Sequence, residues 1–290
     1  MKKKILITGI NGFLGSHLAM GLKDSFEVIG LVNSINNVER IKEFSFKLYS
    51  FKKDEIESIF LENNFHAVLH TATVYKRENE PLMNLLRTNI VLPVQLLELC
   101  KKYKVPSFLN TDSFFNNKEY KYSYLSDYTL SKQQVLTWIK LLSVSTSCKV
   151  VNMKIFHMYG EHDSLNKFIP SITDMIKNNK SFLNMTPGEQ TRDFIYVKDV
   201  VSAFDIVLNS VEKLKEYQEF EIGSGKSYTI KKLAELIKEI TGSNTDLRFG
   251  ALSYRDGEIM ASQVNNFDLT NKYNWNPIYS LRKGFKTYLK

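Results

Sequence analysis

Two side chains with the chemistry for proton transfer, Tyr128 and Lys132, are four residues apart. On a helix this spacing places both on one face. A free tyrosine has a pKa of about 10, and a neighbouring ammonium favours the phenolate, so the pair predicts a lowered pKa for Tyr128. Such a phenol would give or take a proton at neutral pH. The spacing is also common, and Tyr124 with Tyr128, or Tyr120 with Tyr124, would be ordinary aromatics on one helix face.

A second candidate lies upstream, in the segment 108–113, which reads Phe-Leu-Asn-Thr-Asp-Ser. This pattern predicts a strand that ends in hydroxyl groups, and ligands of parallel sheets bind beyond the carboxyl ends of the strands. Thr111 could there hydrogen-bond a substrate carbonyl or alcohol beside the tyrosine. Thr111, Tyr128 and Lys132 are therefore the candidate catalytic residues.

A glycine-rich turn follows the first apolar run of the chain. Gly9, Gly12 and Gly15 are spaced three residues apart between a predicted strand and a predicted helix. In such turns the first glycine permits the bend, the second lets backbone amides approach a pyrophosphate, and the third lets the helix pack on the strand. This position favours a dinucleotide site over a purely structural turn. The turn residues assigned to the cofactor are Gly9, Asn11, Gly12, Phe13, Leu14 and Gly15.

The end of the second predicted strand bears on the identity of that cofactor. Folds that prefer NAD usually carry an acid there for the ribose 2′-hydroxyl. The residues Val32-Asn33-Ser34 contain no carboxylate, so a 2′-phosphate would meet no repulsion. We predict NADP(H), with Asn33, Ser34 and Arg40 as contacts, although Arg40 could equally be a solvated loop residue.

The elements that must position these residues alternate between strands and helices. Strands are predicted at 5–8, 28–32, 46–49, 67–70, 108–110 and 150–155, and helices at 13–24, 54–64, 81–103 and 125–143. This rhythm predicts a parallel sheet with helices on both faces.

After about residue 160 the rhythm changes. Helices are predicted near 167–178, 198–211 and 230–241, the last with Thr229 as N-cap and Gly242 at its end, and a strand at 220–222. The fold class is α/β, a doubly wound parallel (Rossmann) sheet with a smaller C-terminal α/β cap. We assign 1–160 and roughly 193–222 to the cofactor domain, and roughly 161–192 and 223–290 to the cap.

Composition narrows the class of partner. The 290 residues are 43% hydrophobic and 24% charged, with a formal net charge of +8 that favours an anionic ligand. The basic residues are scattered, so nucleic acid is not expected, and no apolar run is long enough for a membrane helix.

Cys100 and Cys148 predict free thiols, and the chain has no signal-peptide pattern, which indicates a cytoplasmic protein. His157, His162 and Asp163 in a predicted loop do not indicate a metal site.

With the segment 8–15, Thr111, Tyr128 and Lys132 in this order, the chain resembles the extended short-chain dehydrogenase/reductase family (the NAD-dependent epimerase/dehydratases). Further matching segments are 70–73, 156–160, 190–200, Arg255 with Glu258, and 275–277. The resemblance implies that Thr71, Ala72, Thr73 and Asn89 also bind the cofactor, with Tyr128 and Lys132. It implies substrate contacts from Tyr75, Thr111, Asp112, Ser113, His157, Arg192, Arg255 and Glu258. Tyr75 could instead belong to a solvated loop, the two arginines could be surface ion-pair partners, and His157 stands where many members have asparagine.

Within the family the chain is similar to the reductases that make CDP-paratose or CDP-abequose, and also to GDP-4-keto-6-deoxy sugar reductases. The turn Asn79-Glu80-Pro81, the strand end Gly30-Leu31 with Asn36-Asn37, and the segment 194–199 carry that similarity. The 4,6-dehydratases have a second acid after their Thr-Asp pair, whereas Ser113 occupies that position here, which argues against dehydration.

The resemblance thus implies NADPH-dependent reduction of the C4 ketone of a nucleotide-linked 4-keto-6-deoxy sugar, in the biosynthesis of O-antigen (lipopolysaccharide) sugars. A CDP-linked substrate is favoured over a GDP-linked one. Tyr128 would donate the proton, Lys132 would lower its pKa and bind the nicotinamide ribose, and Thr111 would position the carbonyl. The alternatives are a nucleotide-sugar 4-epimerase with tightly bound NAD(P) and a non-catalytic NADP-binding sensor or scaffold. The family also implies a homodimer that pairs the helices at 81–103 and 125–143.

Overall fold

The fold was analysed in a computed structural model, which describes residues 2–51, 55–75, 80–117, 125–144 and 146–290. Tyr120 and Tyr124, the alternative helix-face aromatics, and Asn79 of the predicted turn lie outside these ranges.

Thirteen strands are described, numbered in chain order. They are β1 (Lys3–Thr8), β2 (Phe26–Val32), β3 (Lys47–Ser50), β4 (Phe65–His70), β5 (Ser107–Ser113), β6 (Lys149–Ile155), β7 (His157–Tyr159), β8 (Phe182–Met185), β9 (Thr191–Tyr196), β10 (Tyr217–Ile222), β11 (Ser227–Thr229), β12 (Asp246–Phe249) and β13 (Ala261–Ser262).

Ten α-helices are described between them. They are α1 (Phe13–Leu22), α2 (Ile56–Glu62), α3 (Leu82–Leu86), α4 (Leu92–Lys102), α5 (Ser126–Ser143), α6 (Phe168–Lys177), α7 (Val197–Leu208), α8 (Ile230–Thr241), α9 (Asp268–Tyr273) and α10 (Leu281–Tyr288).

The central sheet has seven strands in the order β10-β6-β5-β4-β1-β2-β3. The pairs β1–β2, β1–β4, β2–β3 and β4–β5 are parallel. The strand order reverses between β1 and β4, and this reversal is where ligands of doubly wound sheets bind. Ile5, Leu6 and Ile7 of β1 are all fully buried, as expected for a strand covered on both faces. The predicted fold class is confirmed.

One predicted helix contains an irregular turn. The helix expected at 81–103 forms as α3, a π-helical turn at Arg87–Val91, and α4. Pro93 lies in the first turn of α4 and has no backbone N–H for the carbonyl four residues earlier, which is a local cause of the wider turn. Asn89, one of the predicted cofactor residues, sits on this turn.

Contacts divide the chain into two compact units. The first contains Met1–Asn116, Tyr124–Lys154 and Val201–Phe220, and the second Asn117–Ser123, Ile155–Val200 and Glu221–Lys290. The second unit has a sheet with β9 between β11 and β13, with β7 also paired to β9, and a separate pair of strands, β8 and β12. The assignment of a cofactor domain and a substrate cap stays a prediction, and its boundaries differ from these units at residues 117–123, 155–160, 193–200 and 221–222.

The predictions for the two ends of α8 and for the two free thiols are confirmed. The Thr229 hydroxyl accepts a hydrogen bond from the Lys232 amide at 3.1 Å, and Gly242 ends α8 in the left-handed conformation. Cys100 and Cys148 are free and buried. Among the residues that the structure describes, no helix is both long and apolar enough to cross a membrane.

Candidate active site

The turn between β1 and α1 is built around glycines that leave no room for side chains. Gly9 has φ +66°, and its amide donates to the Leu31 carbonyl at 2.8 Å. A Cβ on Gly9 would lie 2.8 Å from the Ala72 Cα, and one on Gly15 would overlap the Gly9 carbonyl. The three glycines therefore bring strand and helix into close contact and keep the N-terminus of α1 open to a phosphate group. This cradle, which a Cβ would fill, fits a dinucleotide.

Arg40 is tied to this turn. Its amide donates to Asn11 Oδ1 at 2.9 Å, and its guanidinium donates to the Asn11 carbonyl at 3.2 Å. Asn11 in turn donates to the Asn37 carbonyl at 2.9 Å. The structure thus brings Arg40 to the glycine turn, while Asn33 and Ser34 are exposed at the end of β2. Phe13 and Leu14 are buried at the start of α1.

The end of β4 lies beside the glycine turn, at the point where the strand order reverses. Thr8 Oγ1 accepts hydrogen bonds from the amides of Thr71 and Ala72, each at 3.2 Å. Thr71 Oγ1 donates to the Thr8 carbonyl at 2.7 Å. These bonds fix the backbone of residues 71–72 next to Gly9.

Asn89 fixes the next part of this segment. Its Oδ1 accepts from the Val74 amide at 2.8 Å, and its Nδ2 donates to the Val74 carbonyl at 2.9 Å and to Ser131 Oγ at 3.0 Å. Thr73 Oγ1 lies 3.4 Å from Asn89 Oδ1. Asn89 therefore joins this loop to α5, the helix that carries Tyr128 and Lys132.

The three candidate catalytic residues are brought together by β5 and α5. Lys132 Nζ donates to the Thr111 carbonyl at 2.8 Å, and it lies 5.9 Å from the centre of the Tyr128 ring. Thr111 Oγ1 donates to the His70 carbonyl at 2.9 Å. Since this bond uses the hydroxyl proton, the lone pairs of Thr111 remain to accept from a hydroxyl of a bound molecule.

The predicted direction of the Tyr128 pKa is wrong. Burial raises the pKa of Tyr128 well above its usual value, and the charges of Tyr75 and Asp112 add to the rise. Burial also lowers the pKa of Lys132 to about 8, which nearby Asp112 partly opposes. Desolvation disfavours both charged forms and outweighs the effect that the four-residue spacing suggested. The phenol therefore keeps its proton at neutral pH.

Tyr75 is placed next to this group. Its ring stacks on Tyr128 with a centre-to-centre distance of 4.5 Å and an angle of 26° between the planes. The structure therefore places Tyr75 against the candidate proton donor, which agrees with a place in the site and not with a solvated loop.

Asp112 and Ser113 follow Thr111 on β5. The Asp112 side chain is buried and accepts from Asn152 Nδ2 at 2.9 Å and from Asn116 Nδ2 at 3.0 Å. Ser113 is half-buried and hydrogen-bonds Tyr128 through its side chain, an interaction that lowers the tyrosine pKa against the larger effect of burial. Ser113 thus lies at the reacting group, and Asp112 is held by two asparagines.

The second unit carries its own cluster of predicted substrate residues. Arg192 Nη2 and Glu258 Oε1 form an ion pair at 2.5 Å. His157 Nε2 lies 3.3 Å from Ser262 Oγ, and its ring contacts Phe194. Burial, and then the charge of Arg192, lower the pKa of His157 well below its usual value, so the imidazole is neutral.

Arg255 lies three residues before Glu258 in the chain. Its side chain is exposed, and its carbonyl accepts from the Glu258 amide at 3.1 Å. Within the described ranges, no group of three or more His, Cys, Asp or Glu side chains could hold a metal ion.

Sequence reasoning missed the role of His70. Because Thr8 Oγ1 already accepts two amides, its proton goes to His70 Nδ1 at 2.9 Å, and the imidazole carries its proton on Nε2. Burial lowers the pKa of His70 to about 3, with a smaller contribution from Lys132. A neutral histidine therefore lies between Thr8, which precedes the glycine turn, and Lys132. The sequence signals were its position at the end of a predicted strand and its place in the matching segment 70–73.

Comparison with known protein families finds one match over most of the chain. Residues 5–223 match the family described as the NAD dependent epimerase/dehydratase family. That range includes both the glycine turn and the group formed by Thr111, Tyr128 and Lys132.

Two curated relatives match over their full length. A protein of Salmonella muenchen named CDP-abequose synthase is 35% identical over 100% of this chain and 98% of the relative. A protein of the same name from Salmonella typhimurium is 32% identical, with 100% and 98% covered.

Solved structures are similar in fold at lower identity. A UDP-glucose 4-epimerase from Thermotoga maritima, solved with UDP-glucose, has a TM-score of 0.82 at 24% identity and covers 99% of this chain and 97% of its own. A UDP-N-acetylglucosamine 4-epimerase from Methanobrevibacter ruminantium has a TM-score of 0.83 at 23% identity, with 100% and 99% covered.

Proposed function

We propose, from the premise that this chain belongs to the NAD dependent epimerase/dehydratase family, that it is an oxidoreductase acting on a nucleotide-linked sugar. Its reaction is the NADPH-dependent reduction of the C4 ketone of a nucleotide-linked 4-keto-6-deoxy sugar, with the CDP-linked sugar favoured. The product would serve O-antigen sugar biosynthesis. The two relatives named CDP-abequose synthase, each covered almost completely, support this substrate class.

The observation that carries the proposal is the protonated, buried Tyr128 beside Lys132 and Thr111. Reduction of a ketone needs a group that gives a proton to the carbonyl oxygen, and a phenol with a raised pKa is in the donating form. An epimerase must first take a proton from a sugar hydroxyl, which requires the phenolate. The protonated form of Tyr128 therefore matches the donor that reduction needs.

Each residue of the group has a separate task. When bound, NADPH supplies the hydride that the carbonyl carbon receives. Tyr128 gives its proton to the carbonyl oxygen, and the Lys132 ammonium stabilises the phenolate that this transfer leaves. Thr111 accepts a hydrogen bond from a neighbouring sugar hydroxyl and so orients the ring. Ser113, bonded to Tyr128, holds the phenol in position.

The cofactor would be held by the glycine turn and by the loop after β4. Gly9, Gly12 and Gly15 leave space for the pyrophosphate, and the backbone at Thr71 and Ala72 lies beside it. Two features support NADP over NAD. No acid is present at Asn33-Ser34, and the guanidinium of Arg40 lies at the glycine turn, where it bonds the Asn11 carbonyl.

In the second unit, we assign Arg192 to the diphosphate of the substrate. A guanidinium group can donate two parallel hydrogen bonds to two oxygens of one phosphate. The neutral His157 adds a hydrogen-bonding group without a charge. Arg255 is exposed and would add a second cation for the diphosphate, and Glu258 orients Arg192 through their ion pair.

The test is consumption of NADPH with a panel of CDP-, GDP-, UDP- and dTDP-linked 4-keto-6-deoxy sugars, followed by absorbance and with NADH in parallel. Tyr128→Phe should retain NADPH binding and lose turnover by about 10³-fold or more. Tyr103→Phe is the matched control, since its hydroxyl bonds Glu57 on the surface at 2.7 Å, and this variant should keep activity.

Three outcomes would overturn the proposal. An active Tyr128→Phe variant would remove the tyrosine from the mechanism. Interconversion of 4-hydroxy sugars without net loss of NADPH would identify an epimerase, and NADPH binding without turnover of any sugar would identify a sensor or scaffold.

We also propose a homodimer built on α3, α4 and α5. These helices, with the π-helical turn between α3 and α4, expose apolar side chains that a second copy of the chain would bury, namely Leu82, Met83, Val91, Leu130, Trp138 and Leu141.

A further inference from the structure

A row of polar side chains crosses the interior of the central sheet. Asn110 on β5 donates from Nδ2 to Asn152 Oδ1 on β6 at 2.7 Å, and both side chains are buried. Asn152 Nδ2 then donates to Asp112 Oδ2 at 2.9 Å and lies 3.3 Å from Glu219 Oε2 on β10. The Asn152 amide uses its oxygen and both of its protons in this row, so its orientation is fixed.

The row ends at the surface in an ion pair. Glu219 Oε1 lies 2.6 Å from Lys140 Nζ on α5, and both side chains are partly exposed. Glu219, the acid at the outer end of the row, is thus paired with a cation. Asp112 is the buried acid of the row.

Both oxygens of Asp112 are occupied by N–H donors. Oδ1 accepts from the Ser113 amide at 2.8 Å, and Oδ2 accepts from Asn152 and, at 3.0 Å, from Asn116. Asp112 is 5% exposed. Burial raises the pKa of the Asp112 carboxyl, and these N–H donors together with the charge of Lys132 favour its ionised form. Both oxygens already accept hydrogen bonds from the protein.

The charge of Asp112 lies next to the catalytic lysine. Lys132 Nζ is bound to the Thr111 carbonyl, the peptide group that directly precedes Asp112. Asn116 contacts both residues, since its Nδ2 also lies 3.5 Å from the Lys132 carbonyl. Other titratable groups around the pair are His70 on β4, Tyr128 on α5, Lys154 on β6, and Tyr217 and Glu219 on β10.

We propose that Asp112 is a positioning residue, a buried carboxylate that keeps the Lys132 side chain charged and in place, and that it does not contact the substrate. Its bearing on catalysis rests on the function proposed above. The direct effect on Lys132 does not, because it is a property of the protein without substrate.

The physical consequence concerns the pKa of Lys132. Burial lowers that pKa to about 8, and the Asp112 carboxylate opposes the decrease. Without this carboxylate the ammonium would be desolvated and uncompensated, and its pKa would fall further. The lysine would then lose its proton within the neutral range.

The experiment is an NMR titration of the lysine side chains in the full chain without substrate. The protein carries ¹³Cε-labelled lysine, and the Lys132 resonance is assigned as the one that is lost in Lys132→Met. In the wild type the Lys132 resonance should titrate with a midpoint of about 8. In Asp112→Asn the midpoint should fall by about one unit or more, a roughly tenfold decrease in the ammonium-to-amine ratio at a given pH.

The matched control is Asp205→Asn, which removes a partly buried carboxylate from α7 whose side chain bonds Asn209 at 3.0 Å. It should leave the Lys132 titration unchanged. An unchanged midpoint in a folded Asp112→Asn variant would overturn the proposal.

A reciprocal measurement does not depend on whether Asp112→Asn folds. Coupling between two sites is mutual, so Lys132→Met should raise the carboxyl pKa of Asp112, followed through ¹³Cγ-labelled aspartate. If the Asp112 resonance titrates identically in the wild type and in Lys132→Met, the two charges are not coupled and the proposal fails.

Activity supplies the separate, dependent readout. In a working reductase, the alkaline limb of the kcat/KM profile should move to lower pH in Asp112→Asn, whereas a purely structural role would lower the rate at every pH equally. If the wild type reduces no sugar substrate, the proposed function is contradicted. The result of the lysine titration would be unaffected, because that measurement uses no substrate.

Discussion

Lys132 is 2% exposed, and its ammonium makes one described hydrogen bond, to the Thr111 carbonyl at 2.8 Å. Its pKa is lowered from 10.5 to about 8, mainly by burial. A lowered lysine pKa means that the unfolded chain binds the proton more tightly than the folded one. Below pH 8 the folded protein carries the full cost of the buried charge, and its stability rises as the pH increases from about 8 towards 10.5.

We therefore expect Lys132→Met to increase the free energy of unfolding at pH 7 by about 1–2 kcal/mol while abolishing activity. The substitution removes a charge whose desolvation outweighs its attraction to Asp112, at the expense of that attraction and of one hydrogen bond. The gain should shrink between pH 8 and pH 10, where the wild-type lysine becomes neutral. Urea denaturation at several pH values measures this. Lys42→Met, at an exposed lysine paired with Glu39, should change stability little. A Lys132→Met variant less stable than the wild type at pH 7 would contradict the expectation.

At this scale the sequence located the candidate catalytic residues but not their environment. The spacing of Tyr128 and Lys132 and the strand end at Thr111 were sufficient to find three residues that the fold brings together. The pKa direction of Tyr128 was wrong because burial depends on neighbours such as Tyr75, which stacks on the phenol. Asn152 was missed, although a polar residue within the apolar run Val150–Met153 was a usable signal.

Among the elements, the junction of β1 and α1 depends most strictly on its sequence. A Cβ on Gly15 would overlap the Gly9 carbonyl, so alanine there must push α1 away from the strand. We expect Gly15→Ala to weaken NADPH binding tenfold or more and to cost about 1–3 kcal/mol of stability. Fluorescence titration with NADPH and thermal unfolding measure the two effects.

Gly242 provides the control for that substitution. Gly242 has a positive φ, of +65°, but a Cβ there would meet nothing within 4 Å. Gly242→Ala should cost about 1 kcal/mol through backbone strain and leave NADPH affinity unchanged. Equal NADPH affinity in Gly15→Ala and the wild type would show that the turn tolerates a side chain and does not hold the cofactor as inferred.

The elements predicted correctly are the long or fully buried ones. Helix α5 and strands β1 and β4 have apolar patterns that are specified locally, and α8 has both of its caps in the sequence. The strands β7, β11 and β13 have two or three residues each, and their partner β9 is distant in the chain. Pairing of this kind is set by tertiary contacts, which a local pattern does not contain.

For the whole molecule, the alternation of strands and helices was sufficient to predict the sheet, because right-handed crossovers leave few ways to order parallel strands. The second part of the chain lacks such a rule. Its strands pair across long separations, as β9 does with β11 and β13, and only the change of rhythm near residue 160 indicated a separate unit. Architecture was thus predictable where topology is constrained.

The proposed homodimer is a property of the whole molecule and rests on one surface. Leu130, Trp138 and Leu141 lie on one face of α5, and Trp138 is 50% exposed. Apolar patches of this kind on soluble proteins mark interfaces, and a two-fold dimer would bury them against themselves. Trp138→Glu should therefore give a folded monomer by light scattering, since each interface would receive two buried carboxylates. Leu61→Glu is the control, because Leu61 is 70% exposed on α2 and should leave the dimer intact. A wild type that stays monomeric at every concentration, or a Trp138→Glu variant that stays dimeric, would place the interface elsewhere or remove it.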